Sequence, residues 1–332
     1  MDFKSLLQAI KNKDFKPVYL LHGEEPYYID VLTKEIQLQA LEEHERDFNE
    51  TVVYGKDADV LAVISEAKGY PMMAERRLVI VREAQDLKDI DKLESYLEHP
   101  NPTTVLVLAH KYKKVDARKK FVKNIPKVGE VFVSDKVRDY QLVDWITKYL
   151  ATTDYKITSK ATMLLADFLG NDLARITNEL DKLAILLEKG TTINEVHIEE
   201  NIGISKDYNV FELTKALGDK DFYKAMQIIH YFEQNPKSGP LVVVISSCYT
   251  FFSQLMRVHF AADKSQNGIA QSVKVHPFVA GELIKNARMY NPKKVAANIS
   301  ILYEYDLKSK GINNSSFTEG QLMEEMLFKL IH

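Results

Sequence analysis

The pattern of apolar positions changes character near residue 139. Before it, short apolar runs alternate with segments whose apolar residues recur at three- and four-residue spacing. Residues 4–12 read as a short helix with Leu6, Leu7 and Ile10 on one face. Lys16 to His22 reads as the first strand, and Tyr27 to Leu41 as the first long helix. Phe48 to Tyr54 is rich in β-branched and aromatic residues and predicts a strand. Asp57 to Lys68 predicts a helix carrying Val60, Leu61, Ile64 and Ala67. A break at Tyr70-Pro71-Met72-Met73 leads into the strand Leu78-Val79-Ile80-Val81. A helix over Asp89 to Leu97 and a turn at His99-Pro100-Asn101-Pro102 precede the strand Thr104 to Ala109, and Val131-Phe132-Val133 is a last short strand. Near-continuous apolar strands between helices predict a parallel α/β sheet covered on both faces.

From Asp139 the strand pattern stops. Asp139 to Thr152, Ser159 to Leu169, Asp172 to Glu188 and Val196 to Asn201 read as helices. After a boundary at Ile204 to Tyr208, helices are expected over Val210–Leu217, Asp221–Glu233, Gly239–Lys264, His276–Tyr290, Pro292–Lys310 and Thr318–Ile331. The expected organisation is therefore an α/β domain over 1–138, a small helical domain over 139–207 and an all-α domain over 208–332.

Composition adds limits. With 45% hydrophobic and 27% charged residues the chain is globular in type. No run of about eighteen uncharged apolar residues occurs, so no membrane span is expected. The start, Met1-Asp2-Phe3-Lys4, lacks the order of a signal peptide. A single cysteine, Cys248, excludes an internal disulfide and points to a reducing compartment; the expected location is the cytoplasm. The net charge of −3 lacks the basic excess of a nucleic-acid binder, so any DNA contact must come from a local patch or from partners.

The first strand, Gly23 and the following helix have the layout of a phosphate-binding loop. Its nucleotide-binding form, G-x-x-x-x-G-K-[ST], bares backbone N–H groups and supplies a lysine for phosphate and a hydroxyl for magnesium. Here Tyr28 takes the place of the second glycine, Ile29 that of the lysine and Asp30 that of the hydroxyl. Glu24 and Glu25 add negative charge where a triphosphate would sit. An active P-loop ATPase of the AAA+ kind also carries Asp-Glu at the end of the strand that here reads Leu78-Val79-Ile80-Val81-Arg82-Glu83. Arg82 reverses the charge at the metal-organising position. Loss at both places describes a P-loop scaffold without its chemistry, with Ile29 expected in the core.

These stretches, with Tyr19-Leu20-Leu21-His22-Gly23-Glu24-Glu25-Pro26, Glu75-Arg76-Arg77-Leu78-Val79-Ile80-Val81 and Asn178-Glu179-Leu180-Asp181-Lys182-Leu183, carry a resemblance. Phe211-Glu212-Leu213, Ile269-Ala270, Val275-His276-Pro277-Phe278 and Tyr305-Asp306-Leu307-Lys308 continue it in order over nearly the full chain. The sequence resembles the delta-subunit family of the bacterial DNA polymerase III clamp loader. The resemblance implies an AAA+-like module, a helical lid and a collar that assembles into a ring. It implies the sliding clamp (beta), the gamma/tau and delta prime subunits and, through the assembled complex, primed DNA as partners. It also implies clamp opening without ATP binding, and no cofactor.

The clamp-contacting element of that family maps onto Tyr70, Met72 and Met73. Pro71 is expected to open a short helix there, with the adjacent methionines roughly 100° apart so that one face cannot bury both. The family more often carries Leu-Phe at the two methionine positions. A second candidate is the basic run Lys111, Lys113, Lys114, Arg118, Lys119 and Lys120, which either meets DNA phosphates or forms a solvated face. Arg175 resembles a lid arginine that touches nucleotide in active relatives, and a structural ion pair with Glu179 is expected for it.

No catalytic constellation emerges. His22, His110, His197 and His276 are scattered, no H-E-x-x-H or cysteine pair offers metal-ligand spacing, and no G-x-S-x-G elbow occurs. Gly55-Lys56 lacks the upstream glycine loop. Cys248 is expected to be an inert core thiol and His276-Pro277 a helix-start feature. Tyr249, Phe251, Phe252 and Phe260 are expected to pack the last domain, with an outer face left for neighbours. A divergent P-loop nucleotide-binding enzyme is the alternative reading.

Overall fold

The computed structural model describes residues 1–313 and 316–332. They form two compact units, Met1–Val137 and Arg138–His332.

The first unit is built on five parallel strands: β1 (Val18–Gly23), β2 (Glu50–Tyr54), β3 (Arg77–Arg82), β4 (Thr104–His110) and β5 (Gly129–Ser134). Their spatial order is β2-β3-β4-β1-β5, so the first strand lies between the last two. Its helices are α1 (Phe3–Lys11), α2 (Pro26–Gln39), α3 (Arg46–Asn49), α4 (Val60–Lys68), α5 (Glu94–Leu97) and α6 (Lys120–Asn124). Alternate residues of each strand face opposite sides of a sheet, and both sides here are apolar. Val18, Leu20, Val79, Val81, Leu106 and Leu108 pack under α4, α5 and α6. Tyr19, Leu21, Leu78, Ile80, Val105 and Val107 pack under α1 and α2. That double coverage explains why β1 and β4 are buried along their whole length. The expected helix over Asp89 to Leu97 is instead a 3-10 turn, Ile90–Leu93, running into the single turn α5.

The second unit holds α7 (Asp139–Leu150), α8 (Ser159–Leu169), α9 (Leu173–Leu186), α10 (Glu195–Ile202), α11 (Val210–Asp219) and α12 (Phe222–Gln234). It continues with α13 (Leu241–Phe260), α14 (Gln266–Val273), α15 (Pro277–Ala287), α16 (Pro292–Ser309) and α17 (Glu319–Ile331). Two departures stand out. A two-stranded parallel ribbon, β6 (Lys156–Ile157) with β7 (Thr192–Ile193), interrupts the expected all-helical stretch. The polar segment after Phe260 forms α14, whose start Ser265 caps by accepting from the Gly268 N–H. Helix α13 is long and apolar enough, by length and composition, to cross a membrane. Its buried residues Leu241, Val244, Ile245, Cys248, Phe252 and Leu255 form one stripe inside the helical core, which accounts for its hydropathy.

Candidate functional site

The phosphate-loop geometry starts at Gly23. Its φ is +149°, and a Cβ there would lie 2.0 Å from the Ser134 carbonyl oxygen at the end of β5. Only glycine permits that approach. The approach also uses up the loop's donors. The backbone N–H groups of Glu24 and Glu25 both donate to the Ser134 carbonyl, at 2.8 and 3.3 Å, and the Ser134 hydroxyl donates to the Glu25 carbonyl at 2.6 Å. The Glu25 side chain, buried, caps α2 by accepting from the Tyr27 N–H at 3.1 Å. A helix N-terminus attracts anions through its free N–H groups and dipole; here a carboxylate of the chain itself already occupies it. Ile29 is fully buried on the α1–α2 side of the sheet, as a lysine reaching for phosphate would not be.

The basic run places one of its members inside this site. The Lys111 ammonium sits 2.6 Å from an Asp30 carboxylate oxygen and 2.9 Å from one of Glu83, and its side chain is only 12% exposed. Burial opposes charge on both Lys111 and Glu83. The hydrogen bonds from Asp30 and Glu83 outweigh it for Lys111 and raise its pKa; those from Gln85 and Lys111 outweigh it for Glu83 and lower its pKa. Glu83 itself adopts the left-handed backbone conformation, φ +50°. Arg82, at the end of β3, donates to Gln37 of α2 at 2.9 Å. The Tyr28 ring packs at a tilt against that of Phe3, with centroids 4.7 Å apart. Next to the loop, His22 accepts from the Val115 N–H at 3.0 Å; burial, then the neighbouring His110 and Lys114, push its pKa down to about 4.

Lys111 therefore leaves the basic surface proposed from the sequence. The rest of the run is exposed loop rather than helix until α6 begins. Lys114 pairs with Asp135 at 2.5 Å, Arg118 with Asp116 at 2.7 Å and Lys119 with Asp91 at 3.0 Å. Among the described residues Lys113 has no carboxylate partner.

The segment between α4 and β3 is the opposite case. No helix forms after Pro71; the expected short helix is replaced by an irregular loop in which Met73 takes a left-handed φ of +53°. Helix geometry needs φ near −63°, so this residue ends any helical path. Tyr70 is 81% exposed, Met72 52% and Met73 98%. The loop is nevertheless fixed at its base. Asn49, itself buried, accepts from the Met72 N–H at 2.6 Å and returns a donor to the Met72 carbonyl at 3.0 Å. Asn101 donates to the Gly69 carbonyl at 2.9 Å, and Arg76 lies 5.3 Å over the Phe15 ring. Asn49 and Ser134 carry no local pattern that marks them; each acts through a contact distant in sequence.

In the second unit Arg175 lies 5.8 Å over the Phe168 ring, and Glu179 pairs with Lys182, so the expected Arg175–Glu179 pair does not form. Cys248 is buried and burial pushes its thiol up to about 12. His276 caps α15 by accepting from the Phe278 N–H. Phe251 and Phe252 are buried, whereas Tyr249 and Phe260 face solvent. A cavity of about 760 Å³ lies among α7, α8, α11, α13 and α15; Phe251 and His276 line it, and no residue of the two loops or the basic run does.

Comparison with known proteins resolves the family. The family model described as "DNA polymerase III, delta subunit" matches residues 19–133, and that described as "DNA polymerase III delta subunit, C-terminal domain" matches residues 207–330. Together they span well over half of the chain. The chain belongs to the DNA polymerase III delta subunit family. It is 26% identical over 316 residues to the DNA polymerase III subunit delta of Bacillus subtilis (strain 168), covering 91% of this chain and 90% of that protein. It is 22% identical over 225 residues to a probable DNA polymerase III subunit delta of Aquifex aeolicus (strain VF5), covering 64% and 62% of the two. Among solved structures it shares the fold of the Bacillus subtilis DNA clamp loader delta protein, with a TM-score of 0.60, 23% identity and 99% of each chain covered. A parallel α/β unit followed by helices is thus the fold it shares with that protein.

Proposed function

We propose that this chain is a clamp-loader subunit that binds and opens a sliding clamp while hydrolysing no ATP itself. The observation that carries the reading is the loop holding Tyr70, Met72 and Met73 in solvent on a backbone fixed by Asn49. Each methionine inserted into a partner's apolar pocket contributes up to about 1.5–3 kcal/mol, and the thioether chain adapts to the pocket it meets. The binding energy is spent on holding a ring interface open.

The absence of ATP chemistry is supported by four features of one site. Ser134 consumes the loop's donors, Glu25 caps the helix, Ile29 is buried and Lys111 pairs with both Asp30 and Glu83. Nucleotide in the other subunits then controls access to the clamp. On this reading residues 139–207 act as the lid domain, and residues 208–332 as the collar that joins gamma/tau and delta prime subunits in the cytoplasm. Primed DNA is met by the assembled complex, with Lys113, Lys114, Arg118 and Lys119 as this chain's contribution.

The test is a titration of the cognate clamp with the parent chain and with the Met72→Ala, Met73→Ala double variant. The variant is expected to bind at least roughly a hundredfold more weakly, the loss of about 3 kcal/mol, with an unchanged melting temperature. Equal affinity would sink the assignment of the loop. Equilibrium dialysis of the isolated chain against magnesium and ATP is expected to show no binding; tight binding would restore the nucleotide-enzyme reading.

A further inference from the structure

The second unit carries a side-chain cluster that lies outside both loops. His230 and Glu233 stand three residues apart on α12 and so share one face of it. Glu324 meets them from α17, which packs along α12. The His230 Nδ1 atom lies 3.3 Å from Glu324 Oε1 and 3.9 Å from Glu233 Oε2. One ligand atom from each of the three residues falls within 4.8 Å of the other two. Ligands bound about 2.0–2.1 Å from a tetrahedral zinc ion are separated by about 3.3–3.5 Å. The His230 and Glu324 atoms are spaced as two corners of such a site, and the Glu233 oxygen, 3.9 Å from Nδ1, stands about half an ångström outside a third.

Two further details fit an ion. Gly320 lies one turn before Glu324 on α17, and a Cβ there would come within 2.6 Å of Glu233 Oε1. The missing side chain leaves the space in which the Glu233 carboxylate sits. Among the described residues no lysine or arginine pairs with Glu233 or Glu324. Two carboxylates thus converge on one imidazole with no fixed cation to balance them.

We infer that His230, Glu233 and Glu324 form a binding site for a zinc-class divalent ion that ties α12 to α17. An imidazole with carboxylates suits zinc and its transition-metal neighbours, whereas magnesium and calcium prefer oxygen ligands alone. All three residues retain contact with solvent, so the fourth corner is open to water.

The test uses the full chain after chelator treatment, titrated calorimetrically with Zn²⁺, with Co²⁺ as the spectroscopic probe. One ion per chain is expected, with the intense visible absorption of four-coordinate Co²⁺ and a higher melting temperature in Zn²⁺. His230→Ala and Glu324→Gln are expected to weaken Zn²⁺ binding by more than about tenfold, since even partners outside the ligand set cost about that much. Gly320→Ala keeps all three ligands and is expected to weaken binding by crowding Glu233, while circular dichroism shows the helices intact. Failure to bind one equivalent, or a His230→Ala variant with the parent's affinity, would overturn the site.

Discussion

Two loops of the first unit sit at opposite ends of the same parallel sheet and have opposite fates. The loop after β1 turns inward: its donors, its helix end and its charges all find partners within the chain. The loop before β3 turns outward and leaves two methionines and a tyrosine without apolar cover. The contrast teaches that a loop of phosphate-binding layout is closed by filling its contacts within the chain, whereas a loop open to a partner is one whose apolar contacts stay unfilled. A phosphate site that had only lost its lysine would still present free N–H groups. This one presents none at Glu24 and Glu25 that Ser134 does not already hold.

The sharpest way to break the closed loop is Gly23→Ala. The new Cβ meets the Ser134 carbonyl and a backbone conformation that L side chains rarely adopt. Overpacking plus that conformation should cost about 3 kcal/mol or more, read as a lower urea midpoint. Next comes acid. His22 titrates near 6.5 in the unfolded chain and at about 4 in the folded one, so the fold favours its neutral form. Its contribution is complete above pH 6.5 and is lost as pH falls towards about 4, amounting to roughly 2–3 kcal/mol. Urea titrations across that window should fall more steeply for the parent than for His22→Gln.

Lys111→Met leaves Asp30 and Glu83 facing one another without a cation. Because both acids keep some solvent, a loss of about 2 kcal/mol is expected rather than the larger cost of breaking a fully buried pair. Magnesium–ATP binding should still be absent, because the N–H donors and the helix cap stay occupied; recovered binding would show Lys111 to be the sole block. Asn49→Ala attacks the open loop instead. It strips the Met72 N–H and carbonyl of their partners and should cost about 1–2 kcal/mol of stability; on the proposed function, a clamp titration should also show weaker binding although neither methionine is touched. Met73→Asn should move the two properties apart. Asparagine tolerates the left-handed backbone better, so stability rises by up to about 1 kcal/mol while clamp affinity falls.

Much of this was legible in the residues, and the limit lies in distance along the chain. Period and apolarity placed the strands and most of the helices, and the apolar residue at position 29 already indicated a core position. What local pattern cannot carry is who meets whom. Lys111 reads as surface charge until the sheet order brings the ends of β4 and β1 together and sets it between Asp30 and Glu83. Arg175 has Glu179 at helical spacing but lies over Phe168, one helix back. The ribbon of β6 and β7 is two residues long in each strand, too short for any period to register. The proline at 71 permitted a helix, and Met73 refused it by one dihedral angle.

The Asn49 side chain offers one donor and one acceptor to Met72, the same pair that a neighbouring strand's peptide would offer. It therefore acts as a one-residue surrogate for a sheet edge. Hydrogen exchange at the Met72 amide should be slowed as in a strand, although the side chain beside it is open to solvent. A tip held in this way enters an encounter already ordered, so association should be governed by diffusion and orientation, with no slow folding phase to follow contact.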